Sequence, residues 1–492
     1  MERAGSARLI PIPFRARPVM TTRTDDRLAS LAPALDAAGQ GHLARWCETL
    51  QGEARDRLLE DLASIDLELV ARLVRGEGLH QDASGDLEPP ETVDASDPAA
   101  LERRAAGEAL LREGKVAAFT VAGGQGTRLG WNGPKGTFPA TPVTGRPLFR
   151  VFAEQILATE QRFGGGPIAW YVMTSPANDA ETQSFFRDNN DFGLAAGQVR
   201  FLVQGTMPSV DEAGRILLAA TDRVALAPDG HGGSIRALHE SGALAEMRSR
   251  GVEQISYFQV DNPLVRILDP LFLGFHAADP RSSGEMSGKM VPKRNSGEKV
   301  GVFCRREGRT GVVEYSDLPA DLAESIDGDG RLRFRAGNIA VHAISVAFAE
   351  RLAGGEDGFG LPFHRARKKV PHLDLASASP VDPTTPNAIK FETFVFDAMP
   401  LAERALVMET SRLEEFAPIK NAEGEDSPAS SREAQSERAA AWLETRGVKV
   451  ARHPDGRVAA TIEIQPRTAL CAADLATQAL PDRIDPGSEV VI

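Results

Sequence analysis

The sequence predicts an α/β protein. A Rossmann-like core with a mixed, mostly parallel sheet follows a helical N-terminal region and precedes a small α+β C-terminal domain. Three observations predict this. Four short runs, "VAAFTVA" (116–122), "IAWYVMTS" (168–175), "VRFLVQG" (199–205) and "ISYFQVD" (255–261), are rich in β-formers and nearly continuous in apolar character, as strands buried on both faces are. The amphipathic stretch "RPLFRVFAEQILATEQRF" lies between the first two, and alternating buried strands and helices imply a parallel sheet with helices on both faces. Upstream, Leu43, Trp46, Cys47 and Leu50 recur at i, i+3, i+4 and i+7, and Leu58, Leu62, Ile65 and Leu69 continue the stripe, which is the helical period.

Taken in order, residues 1–30 read as a disordered leader, because their apolar stretch is short and broken by Pro11 and Pro13. Met20 is an alternative start within it. Residues 31–112 read as a helical N-terminal domain, interrupted by the polar loop around Pro89 and Pro90. Its last helix, "AALERRAAGEALLREG", ends at Gly114, a residue suited to the position just past a helix. Residues 113–405 carry the strands of the core. Residues 406–492 read as a third, smaller domain: "LVMETSRLEEFAPIKN", a polar tract "AEGEDSPASSREAQSE", a helix near Ala439 to Arg446, and a tail that alternates like small β-structure.

Composition narrows the function. The 492 residues carry a net charge of −13, which argues against a general binder of nucleic acid or anionic membrane, since either needs a basic face. Small anions stay open, provided that the positive charge is local. Cys47, Cys304 and Cys471 are scattered without pairing or metal spacing, which fits a reducing cytoplasm. No apolar segment is long enough to span a bilayer, and the expected state is a monomer or weak homo-oligomer.

The stretch "VAGGQGTRLGWNGPKG" (121–136) follows the first strand directly, where ligands of such sheets sit. Gly123, Gly124, Gly126 and Gly130 let backbone N–H groups approach an anion closely. The stretch is no dinucleotide fingerprint, because Leu129 stands where the third glycine would fall. It is no Walker loop either, because Lys135 lies between Pro134 and Gly136. It is a glycine-rich connector or a polyphosphate cradle. Arg128 and Lys135 favour the cradle, each charged hydrogen bond contributing about 1.5–3 kcal/mol.

Other candidates carry two readings each. Gln204 ends a strand with an amide that can donate and accept at once. Gly230, Gly232 and Gly233 in "APDGHGG" allow the backbone close to a ring. Asp261, at the end of a buried strand, is a Mg²⁺ carboxylate or a turn residue. Glu314 and Asn338 can meet sugar hydroxyls or simply end a strand and fill a turn. Phe394 and Phe396, alternating on a strand, line a pocket or fill core. Lys420 holds a phosphate or is solvated. His239, His276 and His342 lack metal-ligand spacing and read as structural.

The blocks "AGGQGTRLG…PKG", "QGTMPSVDEAGRILL" (204–218), "VALAPDGHGGSIRAL" (224–238), "QVDNPLV" (259–265), "VVEYSDL" (312–318), "RFRAGNIAVH" (333–342), "NAIKFETFVFD" (387–397) and "FAPIKNAEGED" (416–426) stand in one order. Together they resemble the UDP-sugar pyrophosphorylases, specifically the UDP-N-acetylglucosamine pyrophosphorylase type, over roughly residues 40–480. The resemblance implies a nucleotidyltransferase core that joins UTP to a sugar-1-phosphate with Mg²⁺, forming a UDP-sugar and pyrophosphate. It implies that Gly123, Gly124, Gly126, Gln204 and Gly230 bind the nucleotide. His231, Gly301, Glu314, Asn338, Phe394 and Phe396 would then face the sugar, Asp261 the metal, and Arg128, Lys135 and Lys420 the phosphates. That type usually has asparagine where His231 stands and a second asparagine at Val341; "GHG" is reminiscent of the UDP-glucose branch. N-acetylglucosamine-1-phosphate is the expected acceptor, with glucose- or galactose-1-phosphate, or several sugars, as the alternative. A non-catalytic UDP-sugar sensor is a further alternative.

Overall fold

A computed structural model describes residues 24–80, 86–354 and 360–492. The described residues form two compact units, one drawn from 24–80, 206–230 and 362–392 and the other from 86–205, 231–354, 360–361 and 393–492.

The second unit contains the large sheet. The four apolar runs become strands Val116–Val121, Trp170–Thr174, Val199–Val203 and Gln254–Gln259. From one edge the order is Thr92–Val93, Leu406–Glu409, Met286–Pro292, Ala336–Ser345, Gln254–Gln259, Val116–Val121, Trp170–Thr174, Val199–Val203. Along this order only Ala336–Ser345 runs antiparallel to its neighbours. A hairpin, Val302–Arg306 with Arg309–Val313, joins beside it through Val302 and Gly337.

Both faces are covered, as near-continuous apolar strands require. Ala118, Trp170 and Phe258 pack on one side with Phe149, Phe152 and Ile156 of the helix Leu148–Phe163. Phe119, Tyr171 and Tyr257 turn to the other side, against the helices Gly233–Glu240 and Val346–Ala353. Residues adjacent along a strand point to opposite faces. The indole N–H of buried Trp170 donates to Thr120 Oγ1 at 2.8 Å, so the large ring is buried without an orphaned donor.

Two helices on the first face cross at glycines. A Cβ at Gly107, in Ala100–Arg112, would lie 1.8 Å from Pro270 O, and one at Gly274, in Pro270–Ala278, 1.6 Å from Arg103 O. Backbone meets backbone here, so no side chain can yield. Gly274→Ala is expected to cost about 3 kcal/mol, the upper part of the usual overpacking range, and to lower Tm in a calorimetric scan. An unchanged Tm would show that the helices can separate freely.

Some sequence expectations are corrected. Leu406–Glu409, placed with the C-terminal domain, lies in the central sheet parallel to Met286–Pro292. A four-residue strand shows its partner only in three dimensions. Ala100–Arg112, placed with the N-terminal helices, packs in the second unit on Pro270–Ala278. The C-terminal helix starts well before Ala439 and spans Pro428–Glu444. Its polar start is stabilised by a reciprocal Ser427–Ser430 capping box and by Pro428 in the first turn. The helix packs Ala439, Trp442 and Leu443 on Ile462 and Ile484. From that same region, buried Glu463 accepts hydrogen bonds from Val143 N (3.0 Å) and Thr144 N (2.8 Å), in the loop that follows the glycine-rich stretch.

The first unit is built on helices Thr24–Ala37, Gly41–Thr49, Gly52–Ser64 and Leu67–Arg75. The leader expected over 1–30 is thus helical from Thr24, while residues 1–23, with Met20, lie outside the described residues. Leu43, Cys47, Leu58, Leu62 and Val70 share a core with Met207, Ile216, Val224 and Phe391. Buried Gln40 donates to Gly214 O (2.9 Å) and accepts from Ile216 N (2.8 Å), and Asp61 accepts from Val224 N (2.9 Å). Among the described residues, no helix is long and apolar enough to cross a membrane.

Candidate active site

Several candidate residues of the second unit lie where strands leave one edge of the sheet. The glycine-rich stretch leaves Val116–Val121, Gln204 ends Val199–Val203, Asp261 follows Gln254–Gln259, and residues 410–420 leave Leu406–Glu409. Those strands are parallel, so all four exits lie at their carboxyl edge. The antiparallel strand pairs His342 with Tyr257, so its first residues, Gly337 and Asn338, extend past Gln259 to that same edge.

The glycine-rich stretch is a folded loop rather than a loose connector. Its two arms are tied by Gly126 N to Gly133 O (2.9 Å) and Lys135 N to Gly124 O (3.1 Å). Trp131 closes it, donating its indole N–H to Thr137 Oγ1 at 2.9 Å. Buried Asn178 holds the base of the loop, donating to Ala122 O (3.0 Å) and accepting from Ser175 N (2.8 Å). The glycines differ in purpose. A Cβ at Gly126 would lie 2.7 Å from Trp131 Cβ, so packing explains that glycine. A Cβ at Gly124 would meet nothing within 4 Å, and Gly124 is exposed, so the open space lies outside the protein. A Cβ at Gly123 would lie 2.9 Å from Gln204 Oε1, so the Gln204 amide lies against the loop.

Lys135 and Asp261 are brought together, with Nζ 3.8 Å from Oδ2, at 18% and 13% side-chain exposure. Ile419 N donates to Asp261 O at 2.8 Å, which sets Lys420 next to the Asp261 backbone. The Lys420 ammonium sits 5.7 Å from the centre of the Phe416 ring. Lys420 N and Asn421 N both donate to Asp426 O, at 2.6 and 3.0 Å. Burial raises the Asp426 carboxyl above its ordinary value, against the pull of Lys420 and Arg294. Arg128 is exposed on the short 3-10 turn Thr127–Leu129.

On the next strands, Asn338 N donates to Gly301 O at 2.8 Å, and a Cβ at Gly301 would lie 3.6 Å from Glu314 Oε1. Gly301, Glu314 and Asn338 therefore form one cluster. The Asn338 side-chain oxygen accepts from Ala340 N at 2.9 Å. His231 forms a second group. Its ring stacks on Phe394 with centroids 5.2 Å apart and lies 5.5 Å from Phe396, while its Nδ1 accepts from Val395 N at 3.1 Å. Phe394 and Phe396, expected on a strand, lie instead at the start of the 3-10 turn Val395–Leu401 just after Ala388–Thr393. Period-two phenylalanines look strand-like, but the chain turns where Gly232 N takes Thr393 O at 2.8 Å. Val341 packs in the core with Ile339 and Ala343. Burial pushes the His342 imidazole down to about 3, with His231 adding to it, and burial pushes His276 down to about 4. Both are neutral structural histidines. Gly230, with φ +85°, belongs to the first unit.

Several polar residues escape sequence reasoning. Lys289 is wholly buried, its Nζ 2.7 Å from both Asp269 Oδ2 and Glu415 Oε2. Buried Asn262 bonds to Glu415 O and Ala417 N. Lys293, beside Gly337, is lowered from the ordinary lysine value by burial. A lysine inside "SGKMVPK" gives no sign of burial; only an apolar strand around it hints at that.

The family described as UTP--glucose-1-phosphate uridylyltransferase matches residues 68–426. A human relative, UDP-N-acetylhexosamine pyrophosphorylase-like protein 1, is 37% identical over 421 residues, covering 81% of this chain and 82% of its own. The Saccharomyces cerevisiae UDP-N-acetylglucosamine pyrophosphorylase is 36% identical over 350 residues, covering 69% and 72%. Among solved structures, the Trypanosoma brucei uridine diphosphate N-acetylglucosamine pyrophosphorylase superposes with a TM-score of 0.78 at 28% identity, over 93% of this chain and 95% of that one. With its folded glycine-rich loop, its Lys135–Asp261 pair and these likenesses, the chain belongs to the UTP--glucose-1-phosphate uridylyltransferase family.

Proposed function

We propose that this protein transfers uridylyl from UTP to N-acetylglucosamine-1-phosphate, releasing pyrophosphate. The observation that carries the proposal is the meeting of Lys135, Asp261 and the Lys420 segment at the carboxyl edge of the sheet, beside the open Gly124. An oxygen of the sugar phosphate attacks the α-phosphorus of UTP in line. The bond from that phosphorus to the bridging oxygen breaks, and its electrons leave with pyrophosphate. Two anions must approach, so the protein contributes mainly positioning and charge neutralisation. Arg128 and Lys135 screen the β and γ phosphates and the leaving pyrophosphate, and Lys420 holds the incoming phosphate. Gly123, Gly124, Gly126 and Gln204 make the nucleotide site. The Asp261 carboxylate, a hard donor at a partly exposed edge, suits Mg²⁺, with phosphate oxygens and water completing the shell. Bound there, the ion would neutralise charge on the phosphates.

His231, Phe394 and Phe396 offer an apolar wall for an acetamido methyl, and Gly301, Glu314 and Asn338 polar groups for hydroxyls. The test is a panel of sugar-1-phosphates with UTP, following pyrophosphate. The highest kcat/KM is expected for N-acetylglucosamine-1-phosphate; equal or better use of glucose- or galactose-1-phosphate would replace the acceptor. Binding of UDP-sugar without pyrophosphate exchange would make the chain a sensor. His231→Asn is expected to raise the preference for the N-acetylated over the plain hexose phosphate by about tenfold, the usual worth of one pocket contact. An unchanged ratio of kcat/KM would remove His231 from sugar selection.

A further inference from the structure

Asn262 stands next to Asp261, is 4% exposed, and directs both ends of its side-chain amide at residues that lead to Lys420. Its Nδ2 donates to Glu415 O at 2.6 Å, and its Oδ1 accepts from Ala417 N at 3.1 Å and from Leu264 N at 3.2 Å. Two residues on, Ile419 N reaches the Asp261 carbonyl at 2.8 Å. Alternate residues 415, 417 and 419 are therefore pinned to the pair 261–262. Other groups hold the same strap from outside. Lys289 and Thr410 grip the Glu415 carboxylate at 2.7 and 2.8 Å, and Ser431 donates to Ala417 O at 2.7 Å. The strap is thus tied to the Asp261–Asn262 pair on one side and to Lys289, Thr410 and Ser431 on the other.

We propose that Asn262 is a positioning residue for the transfer step. By clamping 415–419 to the strand end, it fixes the Lys420 ammonium relative to Asp261 and Lys135, so that the two phosphates meet in line. This rests on the reading of the site given above. Asn262 itself touches neither phosphate; its effect passes through Lys420. An alanine there leaves the buried Glu415 carbonyl and Ala417 amide unpaired, and the strap shifts. Misplacement by about 1 Å costs about 10²-fold in such reactions.

The test is a double-mutant cycle in the full chain, with pyrophosphate release as readout. Asn262→Ala is expected to lower kcat about 10–100-fold and raise KM for the sugar-1-phosphate, with KM for UTP changed by less than about twofold. In a Lys420→Ala background the same change is expected to have almost no further effect, because residues acting as one unit are non-additive. Leu58→Ala, in the hydrophobic core of the first unit, serves as a control for lost stability and should keep the ratio of the two KM values. If Asn262→Ala does not fold, the uncharged Asn262→Ser, too short to reach both Glu415 O and Ala417 N, takes its place, and the same cycle applies. Equal losses with and without Lys420, or equal rises in both KM values, would overturn the inference. A wild-type chain that releases no pyrophosphate from UTP with any sugar-1-phosphate would overturn the functional reading and this inference with it.

Discussion

Lys135→Ala is expected to lower kcat by about 10²–10³, or roughly 3–4 kcal/mol of transition-state stabilisation. Lys135 is held by the backbone bond from its own N–H to Gly124 O and by the glycine-rich loop around it, so its ammonium is placed before substrate arrives. Fixed charge of that kind is more effective than solvent, which must reorganise as pyrophosphate leaves. Stability should barely change, because the pair with Asp261 is 3.8 Å long and partly exposed, and such pairs contribute little to folding. Steady-state pyrophosphate release and a thermal melt, measured on the same preparation, check both halves. A variant with near-normal kcat would take Lys135 out of the transfer step.

The second large effect is on folding. Lys289→Ala is expected to destabilise the protein by about 3–5 kcal/mol, since it leaves Asp269 and Glu415 buried without their cation. Asp269 also caps the helix Pro270–Ala278 by accepting from Leu271 N at 3.0 Å, so the loss spreads to the crossing with Ala100–Arg112. The effect has a sign in pH. Burial pushes the Asp269 carboxyl up, but Lys289 and then Arg266 more than offset it, and the net pKa lies below the ordinary value. In the wild type that contribution is full above the unfolded carboxylate pKa and is lost as pH falls through the lower folded one. Without Lys289 the burial effect dominates and the carboxyl takes up a proton more readily in the folded state. The deficit of the variant should then be greatest near neutrality and narrow toward about pH 5. Urea unfolding of both proteins across that range reads it directly; a constant deficit would mean that Lys289 contributes packing rather than charge.

How legible the molecule was in its sequence depends on the range of the interaction. Val116–Val121 and its neighbours were plain because a buried strand advertises itself in every residue. Strand ends moved by a residue or two, as hydrogen-bond geometry decides them. The glycine-rich stretch could be read as a connector or a polyphosphate cradle; that Gly126 serves Trp131 while Gly124 is the open one is a distinction no spacing carries. Leu406–Glu409, Asn262 and Glu415 were opaque for another reason. They are joined to partners 119 or more residues away, and nothing local marks those partners. The same holds for the first unit, where stretches 206–230 and 362–392 join the N-terminal helices.

One such long-range contact bears on how the chain is made. Val143 and Thr144 donate to Glu463, 320 residues later for Val143. At ribosomal speeds of about 5–20 residues per second, roughly half a minute passes between their synthesis and that of their acceptor. During that interval two amides beside the glycine-rich loop have no carboxylate to bind, and the chain must be kept from settling elsewhere. The loop begins among the early parts of the core to be synthesised, and its flank is fastened only when Glu463 has emerged.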